Sequence, residues 1–203
     1  MKTNLVSLLI LAIGSIFSNA ATSAAVMPSV SVESLSGEHM DIPANLPSTP
    51  SLFIVGFTKA SRSQTSDWSR HLRTRNLAGP FSIYNVVVLE DVPGLFRGFV
   101  IRGIRDGMAK PVQRHFLIVT QQSNDWKTMT AYSENDSDAA YLVLTDADHR
   151  IVWHGSKPFS EKGLQVLLER INAQVESKHP IAPIAGPDAV PVTRTEPHRP
   201  IKP

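Results

Sequence analysis

The segment 51–57, Ser-Leu-Phe-Ile-Val-Gly-Phe, is a short run without alternating polar residues. A run of this kind is typical of a strand buried on both faces, as in the parallel sheet of an α/β domain. A second run, 83–89, is rich in valine, and a third spans 115–120. The three runs predict neighbouring central strands, which helices must cover.

Helical patterns separate these predicted strands. The polar stretch 63–75 has Trp68 and Leu72 four residues apart, which predicts a surface helix with a narrow apolar stripe. The Gly-Pro pair at 79–80 is expected to end this helix. A second helix is predicted over 93–108, since a Pro-Gly pair opens that stretch.

Alternating patterns near both ends predict β-hairpins. One covers 30–42 with its turn around Gly37, and the other joins 141–144 to 151–154 through turn-forming residues. A last helix is predicted to follow Ser160, its N-cap, because apolar residues recur there at three- and four-residue spacing: Leu164, Leu167, Leu168, Ile171 and Val175.

The predicted order is strand, helix, strand, helix, extra strand, hairpin and helix. Parallel strands joined by helices and followed by a closing hairpin and helix describe the thioredoxin architecture. We therefore predict an α/β fold of the thioredoxin-like three-layer sandwich type, with a mixed sheet and a closing C-terminal β-hairpin and helix.

Both ends of the chain differ in composition from this domain. Residues 1–25 have a basic start, an apolar run and small residues suited to cleavage after position 20 or 25, as in a signal peptide. Residues 178–203 hold seven of the fifteen prolines and predict a disordered tail. The expected domain is 26–177, exported to the periplasm or the outer face of the inner membrane.

The 203 residues include no cysteine. This excludes a thiol nucleophile, a redox cysteine pair, a disulfide and a thiolate metal site. A formal net charge of +2 is too small to argue for nucleic acid as a partner. No cofactor is expected.

The stretch from Phe57 to Gln64 resembles the segment that carries the redox pair in thioredoxin-like proteins, with Ser61 and Gln64 at the two cysteine positions. Residues 138–140, Asp-Ala-Ala, occupy the place of the usual cis-proline. Stretches 53–68 and 140–153 resemble the mitochondrial ATP synthase assembly factor family known as "ATP-ten", and this resemblance extends over about residues 52–171.

The resemblance implies a non-catalytic assembly factor or chaperone for a membrane protein complex, with ATP synthase as the complex to expect. Two alternatives remain open. One is an exported, redox-inactive scaffold or binding protein unrelated to ATP synthase, whose proline-rich tail makes the contact. The other is an enzyme that uses no thiol, which a pocket with a histidine and a carboxylate beside Ser61 would support.

The predicted helix 93–108 is amphipathic. Its apolar residues Phe96, Phe99, Val100 and Ile104 share one face, and three arginines fall within about 140° on another. The arginines indicate either contact with anionic lipid or an acidic partner, or an ordinary solvated face. The residues predicted to contact a partner are Ser61, Gln64, Trp68, Arg97, Arg102, Arg105 and Trp126.

Two other candidate chemistries depend on single residues. Ser61 and Ser63, at the start of a predicted helix, are suited to capping it or, less readily, to binding an anionic group. His149 and His154 are the nearest histidine pair, and a solvent-facing hairpin explains them better than a metal site does. No Gly-x-Ser-x-Gly motif of serine hydrolases occurs in the sequence.

Overall fold

A computed structural model describes residues 25–75 and 80–178. The predicted signal peptide and tail lie outside the described residues, except for Ala25 and Lys178. The elements in chain order are β1 (Ala25–Val26), β2 (Val30–Ser34), β3 (His39–Ile42), β4 (Ser51–Gly56), α1 (Arg62–Arg73), β5 (Ser82–Val88), α2 (Gly94–Asp106), α3 (Lys110–Gln113), β6 (Phe116–Val119), α4 (Ser123–Thr130), a 3-10 turn (Glu134–Asp136), β7 (Tyr141–Thr145), β8 (Arg150–Ser156) and α5 (Glu161–Lys178).

The described strands form one mixed sheet in the order β1-β8-β7-β4-β5-β6-β2-β3. Strands β4, β5 and β6 are parallel, as their continuous apolar runs predict. Strand β7 pairs with β4 in antiparallel register, which places Phe53 opposite Val143, and β8 closes the second hairpin. The first hairpin, β2 and β3, extends the sheet beyond β6.

Alternate residues of the central strands face opposite layers of helices. Phe53 and Val55 face the side that α4 covers with Trp126, whereas Leu52 and Ile54 face α1 and α5. Helix α5 buries the apolar stripe that its spacing predicts, at Leu164, Leu167, Ile171 and Val175. The predicted three-layer thioredoxin-like arrangement is confirmed.

Helix α2 lies on the same side of the sheet as α1, against Leu89 and Ile118. The predicted apolar face of Phe96, Phe99, Val100 and Ile104 is divided between the sheet and the solvent. Val100 and Ile104 pack inward, together with Ile101 and Met108, and both phenylalanines are exposed. The inward stripe begins at Arg97, which binds the carbonyls of Glu90 and Val92 just before the helix.

The start of α5 follows the prediction from sequence. The backbone N–H of Gly163 donates to Ser160 Oγ at 3.1 Å, which is the expected N-cap bond. None of the helices in the described ranges is both long and apolar enough to cross a membrane.

Candidate functional site

The loop between β4 and α1 is held by reciprocal hydrogen bonds between Thr58 and Ser61. The backbone N–H of Ser61 donates to Thr58 Oγ1 at 3.1 Å, and Ser61 Oγ donates to the carbonyl of Thr58 at 2.7 Å. Ser63 Oγ likewise donates to a carbonyl, that of Ala60. Ser61 is the N-cap residue of α1, as predicted, but no side-chain cap forms, because the hydroxyls of Ser61 and Ser63 donate to carbonyls and neither accepts from a helix N–H.

Gln64 connects α1 to the segment that enters β7. Its Nε2 donates to the carbonyl of Asp138 at 3.2 Å, and its Oε1 accepts from the backbone N–H of Ala140 at 3.4 Å. Thr58 Oγ1 also donates to Asp138 Oδ1 at 2.6 Å. We call these five residues, Thr58, Ser61, Gln64, Asp138 and Ala140, the α1–β7 bridge.

The α1–β7 bridge occupies the place where the thioredoxin-like resemblance puts the two cysteines and the cis-proline. Each of its side-chain hydrogen bonds is expected to contribute about 0.5–1.5 kcal/mol. Because the Gln64 amide and the Thr58 hydroxyl bond to Asp138 and Ala140, the position is built to hold two segments together. The resemblance locates Ser61, Gln64 and residues 138–140 there, but the sequence does not predict the hydrogen bond between Thr58 and Asp138.

A shallow cleft of about 220 Å³ adjoins the bridge. It is lined by Gln64, residues 135–139, Ser156 and Pro158, so it offers carboxylates but no histidine beside Ser61. Among the described residues, no group of three or more histidine or acidic side chains is arranged to hold a metal ion. His149 lies in the hairpin turn, and His154 is exposed on β8.

Aromatic rings support the same end of the sheet. Phe57 contacts Tyr132 at 4.7 Å and Tyr141 at 5.4 Å between ring centroids. The Tyr141 hydroxyl accepts from the backbone N–H of Ser133 at 3.0 Å and lies within hydrogen-bonding distance of the carbonyls of Ser133 and Asp136. Burial raises the pKa of Tyr132, and its hydrogen bond with Glu134 adds to the effect. These rings fix the loop that leads from α4 to the cleft.

Three of the predicted contact residues are not surface residues. Ser61, Trp68 and Trp126 are buried. Trp68 Nε1 donates to the carbonyl of Lys157 at 2.9 Å and its ring packs against Phe159, while Trp126 meets Phe53 edge-on. Each indole fills the core between a helix and the sheet, so these side chains cannot reach a partner in this fold. Gln64 is half-buried and remains at the edge of the cleft.

The three predicted arginines differ from one another. Arg97 donates to the carbonyls of Val92 at 3.0 Å and Glu90 at 2.8 Å, and Arg105 donates to that of Leu35 at 2.8 Å. Arg102 is exposed. The expectation of one solvent-facing basic surface is therefore corrected: two of the arginines also satisfy backbone carbonyls around α2.

The bridge and the start of α2 lie at one edge of the sheet. Strands β4 and β5 are parallel, so their carboxyl ends meet there, and α1 and α2 follow them. Just after β5, the carboxylate of Glu90 accepts from the backbone N–H of Ser123 at 2.6 Å. Hydrogen bonding with the side chain of Ser123, and with this backbone N–H, lowers the pKa of Glu90. The edge thus gathers the bridge, the cleft and the exposed start of α2.

No family model matches this chain, and no curated protein does. Solved structures do resemble it. BsSco, a member of the Sco family of cytochrome c oxidase assembly proteins, superposes with a TM-score of 0.51 at 9% identity over 75% of this chain and 95% of its own. A putative electron transfer protein from Aquifex aeolicus VF5 gives 0.51 at 8% identity, over 73% and 97%.

An uncharacterized thioredoxin-like protein from Porphyromonas gingivalis has 14% identity and a TM-score of 0.48, covering 76% of this chain and 96% of that one. At such identities structural similarity speaks for the fold alone. The chain has a thioredoxin-like α/β fold, and its 203 residues include no cysteine.

Proposed function

We propose that this protein is a redox-inactive, non-catalytic binding protein of thioredoxin-like fold. In this proposal it is exported to the periplasm or to the outer face of the inner membrane, where it assists the assembly of a membrane protein complex. The observation that supports this best is the α1–β7 bridge. Gln64 and Thr58 use the former redox position to fasten α1 to the segment before β7. We infer that this edge of the sheet is a rigid contact surface.

The chemistry at the bridge argues against turnover. A serine nucleophile needs a base that takes its proton, whereas Ser61 Oγ is buried and donates to a backbone carbonyl. The lining of the cleft beside it includes no histidine. The pocket that would support an enzyme is therefore not formed by the described residues around Ser61.

The rim of the bridge is suited to binding a protein. Residues 59, 60, 62 and 63 are exposed on one side, and Asn135, Asp136 and Asp138 are exposed on the other. Both signs of charge are present, so the rim can complement a polar protein surface. Because the bridge holds the two sides in place, little conformational entropy is lost on binding.

The nature of the partner is inferred from similarity. The "ATP-ten" resemblance points to ATP synthase, and the structurally similar BsSco is itself a member of an assembly protein family for another membrane complex. BsSco is described as having a disulfide switch, which this chain cannot form because it has no cysteine. Under this proposal, this chain and BsSco both assist the assembly of a membrane complex, and this chain does so by binding alone.

Co-purification from membranes tests the proposal. Lys59→Glu reverses an exposed charge next to Thr58, and we expect it to reduce recovery of the membrane partner by about tenfold or more. Lys162→Glu makes the same charge change at an exposed position on α5 and should leave recovery unchanged. The bound proteins are identified by mass spectrometry after affinity capture of the full chain.

Two results would count against a contact at the bridge. One is equal recovery of the partner with Lys59→Glu and Lys162→Glu. The other is loss of the partner when only residues 178–203 are deleted, since that result assigns the contact to the proline-rich tail and supports the scaffold alternative.

A further inference from the structure

Helix α2 presents large apolar side chains to solvent. Leu95 is 95% exposed, Phe99 is 79% exposed and Phe96 is 62% exposed. All three lie within the first six residues of the helix, on the side turned away from the sheet. We call Leu95, Phe96 and Phe99 the α2 patch. Exposed apolar residues grouped in this way are typical of an interaction surface.

The α2 patch protrudes from its surroundings. Gly94 and Gly98 lie beside it in the helix, and a side-chain carbon added at either position would meet no atom within 4 Å. The fold itself therefore does not require glycine there, although glycine is unfavourable inside a helix. Because Gly94 and Gly98 have no side chains, they leave the apolar wedge of Leu95, Phe96 and Phe99 uncovered.

The same helix carries a net positive charge. Of the chain's 20 basic and 18 acidic residues, α2 holds three arginines and one aspartate, which leaves 17 of each sign elsewhere. The formal net charge of α2 is therefore +2. Arg97 and Arg105 keep unused N–H donors after binding their carbonyls, and Arg102 is exposed.

The single acidic residue of α2 lies away from the patch. Asp106 is the last residue of the helix, about 16 Å along the axis from Leu95 at 1.5 Å per residue. Asp106 is about 10 Å along the axis from Phe99, the nearest residue of the patch, and the charged residues of α2 closest to the patch are Arg97 and Arg102, both basic. An apolar wedge beside arginines is complementary to a bilayer with anionic headgroups.

We propose that α2 binds the surface of an anionic lipid bilayer. Leu95, Phe96 and Phe99 enter the boundary between headgroups and acyl chains, and Arg102 pairs with a lipid phosphate. A second copy of the chain is a poorer occupant, because a stable dimer buries roughly 800 Å² on each partner and the patch consists of three side chains. Insertion of a few apolar side chains into a bilayer does not require a buried area of that size.

Membrane binding through α2 also sets an orientation. The start of α2 and the α1–β7 bridge share one edge of the sheet, so an inserted patch turns the bridge toward the membrane. This orientation rests on the proposed function, whereas the lipid contact does not. Purified vesicles contain no protein partner, so a failure of lipid binding is distinguishable from a failure to bind the membrane complex.

The absence of cysteine makes a site-specific test direct. Phe99→Cys and, as a matched control, Val166→Cys on α5 each introduce one thiol for an environment-sensitive fluorophore; Val166 is an apolar residue that is 42% exposed. The labelled full chains are mixed with vesicles of phosphatidylglycerol and phosphatidylcholine. Any binding by the apolar segment 5–17 tethers both proteins equally, so the difference between the labels reports on α2.

With anionic vesicles, we expect the label at position 99 to shift to shorter wavelength and to be protected from iodide quenching, and the label at 166 to stay accessible. Arg102→Glu should weaken this insertion about tenfold or more. Leu95→Ser with Phe96→Ser should abolish it, with circular dichroism unchanged because both residues are exposed.

Two outcomes would overturn the lipid contact. The first is iodide quenching at position 99 that is the same with and without anionic vesicles. The second is protection of that label without vesicles, increasing with protein concentration, which would assign the α2 patch to an interface between copies of the chain.

Discussion

Replacing Trp126 with alanine is expected to lower the free energy of unfolding by about 3–5 kcal/mol. Trp126 is among the largest fully buried side chains and packs edge-on against Phe53 at 6.0 Å between centroids. Its loss leaves a cavity between α4 and the sheet, in the cluster that also contains Tyr84 and Met129. Denaturant unfolding of the variant and the wild type measures the difference.

Phe99→Ala is the matched control, because it also removes an aromatic ring from a helix. Phe99 is exposed, so its replacement should change the stability by no more than about 0.5 kcal/mol. If Trp126→Ala changes the free energy of unfolding as little as Phe99→Ala does, then Trp126 is not a core residue. That result would support the prediction from sequence that Trp126 contacts a partner.

Gly56→Ala is expected to destabilise the protein by about 1–3 kcal/mol. A side-chain carbon at position 56 would lie 2.5 Å from Ser61 Oγ and 3.2 Å from Thr65 Cγ2. The Ser61 hydroxyl has little freedom to move, since it donates to the carbonyl of Thr58. The added methyl group must therefore push the start of α1 away from the end of β4.

Ser61→Ala provides the second arm of a double-mutant cycle. Removing the hydroxyl eliminates the nearest atom, and Ser61 Cβ is then at an ordinary contact distance of 3.6 Å. Alone, Ser61→Ala should cost about 1 kcal/mol for the lost hydrogen bond. Gly56→Ala should cost about 1 kcal/mol less in the Ser61→Ala background, as expected of residues in contact. Equal costs in both backgrounds would contradict the placement of Ser61 against Gly56.

The fold could be predicted where the pattern along the chain reflects local burial. Continuous apolar runs identified β4, β5 and β6, because parallel central strands are covered on both faces. The inward face of α2 could not be read in this way. Its inward stripe begins with Arg97, which bonds to the carbonyls of residues 90 and 92, whereas an arginine in a sequence pattern predicts a solvent-facing position.

The candidate site could be located but not described from the sequence. The resemblance placed Ser61 and Gln64 at the former redox position, yet the hydrogen bonds of Gln64 join segments that are more than 70 residues apart. A hydroxyl can donate or accept, so sequence alone could not show that Ser61 binds a carbonyl instead of capping α1. The burial of Trp68 and Trp126 likewise depends on tertiary packing.

The central claim is that the edge around the α1–β7 bridge contacts a membrane protein. A photoreactive amino acid at Ala60, which is exposed and adjoins Ser61, tests it in living cells, with the same group at Val166 as the control. We predict a light-dependent adduct between position 60 and a membrane protein, and none from position 166. No adduct at position 60, or the same adducts from both positions, would contradict the claim.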